Sequence, residues 1–117
     1  MSDGGDFMIR QSLDFAVRVV RLYQWLCDNK KEYVLSKQLL RAGTSIGANL
    51  SEAQAAISKA DFIAKVYISA KECRETQYWI ELLYRTGFLE ENHYSSIKSD
   101  VVELGKLLSS VTKKLKK

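Results

Sequence analysis

The chain has 117 residues, 46% hydrophobic and 27% charged, which fits one domain with a core of its own and excludes the disordered, collagen-like and disulfide-scaffold classes. Proline is absent and only six glycines occur, so the breakers that punctuate β-sandwiches and barrels are missing and helices are expected. Lys and Arg total 18 against 14 Asp and Glu, but Lys113, Lys114, Lys116 and Lys117 supply four of those cations; without them the charges balance, so the basic excess is a property of the C-terminus.

Residues 1–8 read as a disordered lead, acidic and glycine-bearing where a signal peptide would be basic and then apolar. From about Ile9 to Asp28, Leu13, Ala16, Val17, Val20, Tyr23 or Gln24, and Cys27 recur at three and four residues, while Asp14, Arg18 and Arg21 point elsewhere. That spacing predicts the first helix and its buried stripe. A polar run, Asp28 to Glu32, ends it, with Asn29 suited to the left-handed conformation of a helix end.

Leu35, Leu39, Ala42, Ile46, Leu50 or Asn49, Ala53 and Ile57 keep a seven-residue rhythm over about 34–57, which predicts one long helix despite Gly43 and Gly47. Each glycine costs about 1 kcal/mol relative to alanine in a helix interior. Their G-x-x-x-G spacing suggests an offsetting gain, the close approach of a neighbouring helix; a local break near Thr44 and Ser45 is the alternative.

Ser58 followed three residues later by Asp61 signals the start of a third helix, which runs to about Arg85 and stops at Thr86-Gly87. Its stripe is Phe62, Val66, Ala70, Cys73, Gln77, Ile80 and Tyr84, with Phe88 and Leu89 folding back over the end. Ile97, Val101, Leu104, Leu108, Val111 and Leu115 step by three and four to define a fourth helix. Four amphipathic helices on short links predict an all-α, antiparallel up-down-up-down four-helix bundle over 9–112, followed by a basic tail at 113–117. No stretch approaches the roughly 18 apolar residues of a membrane span, so a cytoplasmic protein without a membrane partner is expected.

Cys27 and Cys73 form no C-x-x-C pair and read as reduced thiols. The aromatic residues Trp25, Tyr33, Tyr67, Tyr78 and Trp79 suit either a core or an interface. Ser45, Asn49 and Glu52 stack along one side of the second helix, and a cross-helix network of Arg41, Ser45, Asn49 and Glu52 with Arg74 and Glu75 would fix helix register; a ligand pocket is the alternative. Glu90 and His93 spell a single Glu-x-x-His step, where di-iron bundles use two with further inward glutamates, so a solvated helix start is preferred to a metal site. No phosphate loop or nucleophile elbow is present, and neither an enzyme nor a cofactor is expected.

Arg41, Ala42, Thr44, Ser45, Ile46, Ala48, Asn49, Glu52 and Ala53 form an unusual pattern within LLRAGTSIGANLSEAQAA, and SKADFIAKVYISAKECRETQYWIELLYRTGFL follows it. From about Phe15 to Leu108 the chain resembles the bacterial four-helix-bundle proteins first met as open reading frames in intervening sequences of 23S rRNA genes. The resemblance implies a left-turning bundle, commonly a homopentameric ring, with a biochemical role largely unassigned. That family is similar in turn to the accessory protein of diversity-generating retroelements, a basic pentamer that binds a reverse transcriptase and nucleic acid. The expected function is therefore a non-enzymatic interaction module that forms a homo-oligomer and can take a protein partner. The alternative is an RNA- or DNA-binding accessory factor in which Arg10, Arg18, Arg21, Lys37, Arg41 and the tail cations Lys113, Lys114, Lys116 and Lys117 line one basic rim.

Overall fold

A computed structural model describes residues 3–116. Four helices follow one another, α1 (Asp3–Lys30), α2 (Leu35–Ala53), α3 (Lys59–Arg85) and α4 (Glu91–Leu115), in a rod of 44 × 21 × 20 Å. Each packs chiefly against its sequence neighbour, and α1 and α4 touch least, which leaves a seam between first and last helices. The all-α four-helix bundle follows from the physics of the links: a short connection obliges the next helix to run back antiparallel.

The helix ends are set by specific groups. Lys31, rather than Asn29, takes the left-handed conformation after α1, with φ 54°. Glu32 then does the work of an N-cap for α2, accepting from the backbone N–H of Val34 (3.2 Å), Leu35 (3.1 Å) and Ser36 (2.7 Å), three donors that the first turn would leave unpaired. Ser58 caps α3 by accepting from Asp61 N–H at 3.0 Å. Gly87, at φ 86°, closes α3: its N–H donates to Tyr84 O (3.1 Å) and the Phe88 N–H to Leu83 O (2.9 Å), the paired bonds of a Schellman end. Leu89 is buried beyond it, so the chain does fold back there.

α2 is continuous through both glycines, and the reason is α1. A β-carbon at Gly43 would meet both γ-carbons of Val19 at 2.8 Å, and one at Gly47 would meet Ser12 Oγ at 2.9 Å. The core is filled by Leu26, Leu39, Ile46, Val66, Ile80, Leu83 and Val101 among others. Four hydroxyl residues are buried with it, and each donates to a carbonyl: Ser12 to Ile9, Ser36 to Glu32, Ser69 to Ile46 and Thr76 to Glu72, at 2.7–2.8 Å. Burial without such a bond would cost on the order of 1–3 kcal/mol per group.

Three further expectations are corrected. Helix α1 reaches back to Asp3 and buries Met8, so residues 3–8 of the anticipated lead are helical; residues 1 and 2 lie outside the described residues. The stripe of α1 that faces the core is Met8, Ser12, Phe15, Val19 and Leu26, whereas Leu13 is 61% and Val17 51% exposed. Second, α2 ends at Ala53 and not near residue 57; of the two residues offered for its stripe, Leu50 is the buried one. The chain leaves the helix through short turns because Ser58 must be extended (φ −158°, ψ 164°) to cap α3, and Ile57 is left 95% exposed. Third, α3 turns Ser69 and Thr76 inward, while Phe62, Ala70, Gln77 and Tyr84 are only half-buried. Helix α4 reaches Leu115, the last position of its predicted spacing, so Lys113 and Lys114 belong to the helix.

Candidate functional site

The first region of interest is the outer side of α1. Taking 100° per residue, Leu13, Val17 and Val20 lie on the side of the helix away from Phe15, Val19 and Leu26. Thus α1 carries two apolar stripes, and the bundle buries one. Beside the outer stripe, the α1–α4 seam opens a groove of about 570 Å³ lined by Val17, Arg21, Leu22, Trp25, His93 and Ile97 among others. Arg18 bridges the seam below it, donating to the Asp100 carboxylate and to Ser96 Oγ at 2.8 Å. A second groove of about 450 Å³ lies on the same seam between Phe7, Gln11, Phe15, Asp100, Glu103, Leu104 and Leu107.

The polar row on α2 is resolved into separate local contacts. Arg41 pairs with Glu75 and lies 3.5 Å from Glu72, and Glu75 also accepts from Trp79 Nε1 at 2.9 Å. Arg41 and Glu75 therefore meet across α2 and α3. Ser45 instead donates to Arg41 O (2.7 Å) and Asn49 to Ser45 O (2.8 Å) within their own helix, the back-bonding open to short polar side chains in a helix. Glu52 pairs with Lys65 at 2.8 Å. Arg74 joins none of them: on the α3 wheel it lies toward α4, away from α2. The expected Asn49–Glu52–Arg74 network is not formed.

The cations anticipated as one basic rim are dispersed. Arg18 and Arg41 are held by carboxylates, and Arg21 by Gln24 Oε1 at 3.2 Å. Arg10 lies in the N-terminal half of α1 and Lys37 at the start of α2, toward opposite ends of the rod. Lys113 and Lys114 occupy the last turn of α4, where cations suit the negative end of the helix dipole; Lys116 follows directly, and Lys117 lies outside the described residues. The sequence reading passed over a different set. Lys71 and Arg74 of α3 face Lys106 of α4 across a groove of about 490 Å³. Only pairing the faces of α3 and α4 could have found it.

Cys73, Cys27 and His93 are the side chains with nucleophilic or metal-ligating chemistry. Cys73 is buried and donates to Val101 O at 3.6 Å; burial pushes its thiol up to about 11, the opposite of an activated nucleophile. Cys27 is only half-buried, a free thiol at the end of α1. His93 stands in the first turn of α4, edge-on to Trp25 with centroids 4.5 Å apart. Among the described residues no three His, Cys, Asp or Glu side chains come together as a metal site would require, and no helix is long and apolar enough to cross a membrane. Trp25, Trp79 and Tyr67 are partly buried, and Tyr33 and Tyr78 are exposed.

A family model described as 23S rRNA-intervening sequence protein matches residues 7–110. The chain is similar to a crystal structure of a protein with unknown function from the S23 ribosomal protein family of Bacteroides thetaiotaomicron. Identity to it is 51%, over 94% of this chain and 98% of that chain, with a TM-score of 0.91. No curated protein matches the chain significantly.

Proposed function

The chain belongs to the 23S rRNA-intervening sequence protein family, and we propose that it works as a non-enzymatic interaction module whose copies associate through the outer stripe of α1. The observation that carries this reading is the second apolar stripe. Leu13 and Val17, one turn apart, are more than half exposed on a helix whose opposite side is fully buried. An apolar stripe on the solvent side of a helix marks a surface that gains by being covered, and burying such residues stabilises by roughly 25 cal/mol per Å² of apolar surface removed from water. A second copy of the same chain is always at hand to supply that cover.

The geometry of association follows from symmetry. A stripe that packs on itself makes a two-fold dimer, whereas a stripe that packs on a different surface of the next copy makes a head-to-tail contact, which forms a ring when the rotation between copies closes. The resemblance implies five copies. The high thiol pKa of Cys73 and the placement of His93 against Trp25 support the non-catalytic part of the reading. Light scattering on a size-exclusion column tests the assembly: the expected mass is near five chains, and a monomer at micromolar concentration would overturn it.

A further inference from the structure

The groove between α3 and α4 lies across the bundle from the α1 stripe and carries a different chemistry. On α3, Tyr67, Lys71, Arg74 and Tyr78 are spaced by four, three and four residues, which places them in one line along the helix. Lys106 stands opposite on α4, beside the small residue Gly105, where a β-carbon would sit 3.2 Å from Gln77 Nε2. Lys71, Arg74 and Lys106 are exposed, and none is in an ion pair among the described residues. The groove lining contains no Asp or Glu; Gln77, Ser109 and Thr112 supply its other polar groups. Lys113, seven residues beyond Lys106, continues the same face of α4 toward the C-terminus.

Most of the acids on α2 and α3 are paired away from this groove. Glu72 and Glu75 turn to Arg41 on α2, Glu81 to Arg85 and Lys98, and Glu52 to Lys65. The lining of this groove is thus positive, while Glu103, three residues before Lys106, lines a neighbouring groove with it and is in no ion pair among the described residues. Tyr78, 59% exposed and edge-on to Trp79 with centroids 5.0 Å apart, lies one helical turn beyond Arg74 on α3, just outside the groove lining.

We propose that the α3–α4 groove is a track for single-stranded nucleic acid, with Lys71, Arg74 and Lys106 taking backbone phosphates and the Tyr78 ring stacking a base. Unpaired cations along a groove with an exposed aromatic ring one helical turn beyond them are the parts such binding needs, because phosphates supply affinity and every base offers a π-face. The groove does not involve Leu13 or Val17, so it stands whether or not the copies assemble through them.

The test is fluorescence anisotropy of the full chain with a labelled oligonucleotide of about 15 nucleotides, near the upper end of single-strand site sizes, titrated across salt. Lys71→Ala with Arg74→Ala and Lys106→Ala is expected to weaken binding more than tenfold. It should also reduce the slope of log K against log salt by about two, since each lost phosphate contact removes about 0.7. Tyr78→Ala is expected to weaken binding about tenfold with the slope unchanged, and Lys71→Arg with Lys106→Arg to keep it. These side chains are on the surface, and circular dichroism of each variant verifies the fold. Lack of binding by the wild type would overturn the assignment. So would equal binding by the triple alanine variant, which would assign the affinity to the C-terminal lysines, or equal binding of a duplex together with indifference to Tyr78→Ala.

Discussion

Gly43 lies so close to Val19 that a β-carbon on it would stand 2.8 Å from both valine γ-carbons. Val19 is fully buried and its β-branched side chain has one strongly preferred rotamer in a helix, so it cannot swing aside. The helix-propensity cost of the glycine is the cost of this contact between α1 and α2.

Gly43→Ala should therefore destabilise the protein by about 1–2 kcal/mol, since overpacking of about 1–3 kcal/mol exceeds the helix gain of up to about 1 kcal/mol. Paired with Val19→Ala, the two changes should cost less together than their sum by at least about 1 kcal/mol, the signature of contact in a double-mutant cycle. Urea unfolding at one fixed protein concentration measures it, because assembly also contributes to apparent stability. Additive effects would mean that the helices are not in contact there.

Glu32 holds the entrance to α2. Partial burial raises its carboxyl pKa, but the backbone N–H groups of Ser36, Leu35 and Val34 outweigh that and hold it below the ordinary carboxylate value. A depressed folded-state pKa means that the contribution is fully present above the unfolded carboxylate pKa of about 4.3 and is lost as pH falls through the folded value. Glu32→Ala is expected to cost about 1 kcal/mol near neutrality, as loss of a cap does, and to flatten the fall of stability below about pH 4. An unchanged acid limb would contradict this.

The polar row of α2 is local, so Asn49→Leu with Glu52→Leu should change stability by no more than about 1 kcal/mol, the worth of an exposed ion pair plus a side chain bonded within its own helix. Thermal unfolding decides it. A loss of several kcal/mol would restore the buried network that the structure dissolves.

Much of the fold was legible because it is written in local chemistry. Ser58 with Asp61 and Gly87 with its left-handed φ mark ends that need no tertiary information, and the spacing of Gly43 and Gly47 announced a close helix neighbour. The phase of α1 was not legible: Leu13, Ala16, Val17 and Val20 recur as regularly as Phe15, Val19, Leu22 and Leu26, and periodicity cannot say which stripe the other three helices will cover. Ile57 sits in rhythm with Ala53 and Leu50, so only the demand of Ser58 for an extended backbone reveals that α2 has already ended. The α3–α4 groove was hidden for a similar reason. Lys71 and Arg74 are ordinary helix cations until Lys106, over 30 positions away, is set opposite them. Net charge recorded the C-terminal lysines and masked these.

Assembly through the outer stripe of α1 is tested most directly by the mass in solution of the wild type beside Leu13→Asp with Val17→Asp, by light scattering on the same column with helicity monitored by circular dichroism. The wild type is expected to elute as a multi-chain particle and the variant as a single chain of unchanged helix content. A monomeric wild type, or a folded variant of the same mass as the wild type, would contradict it.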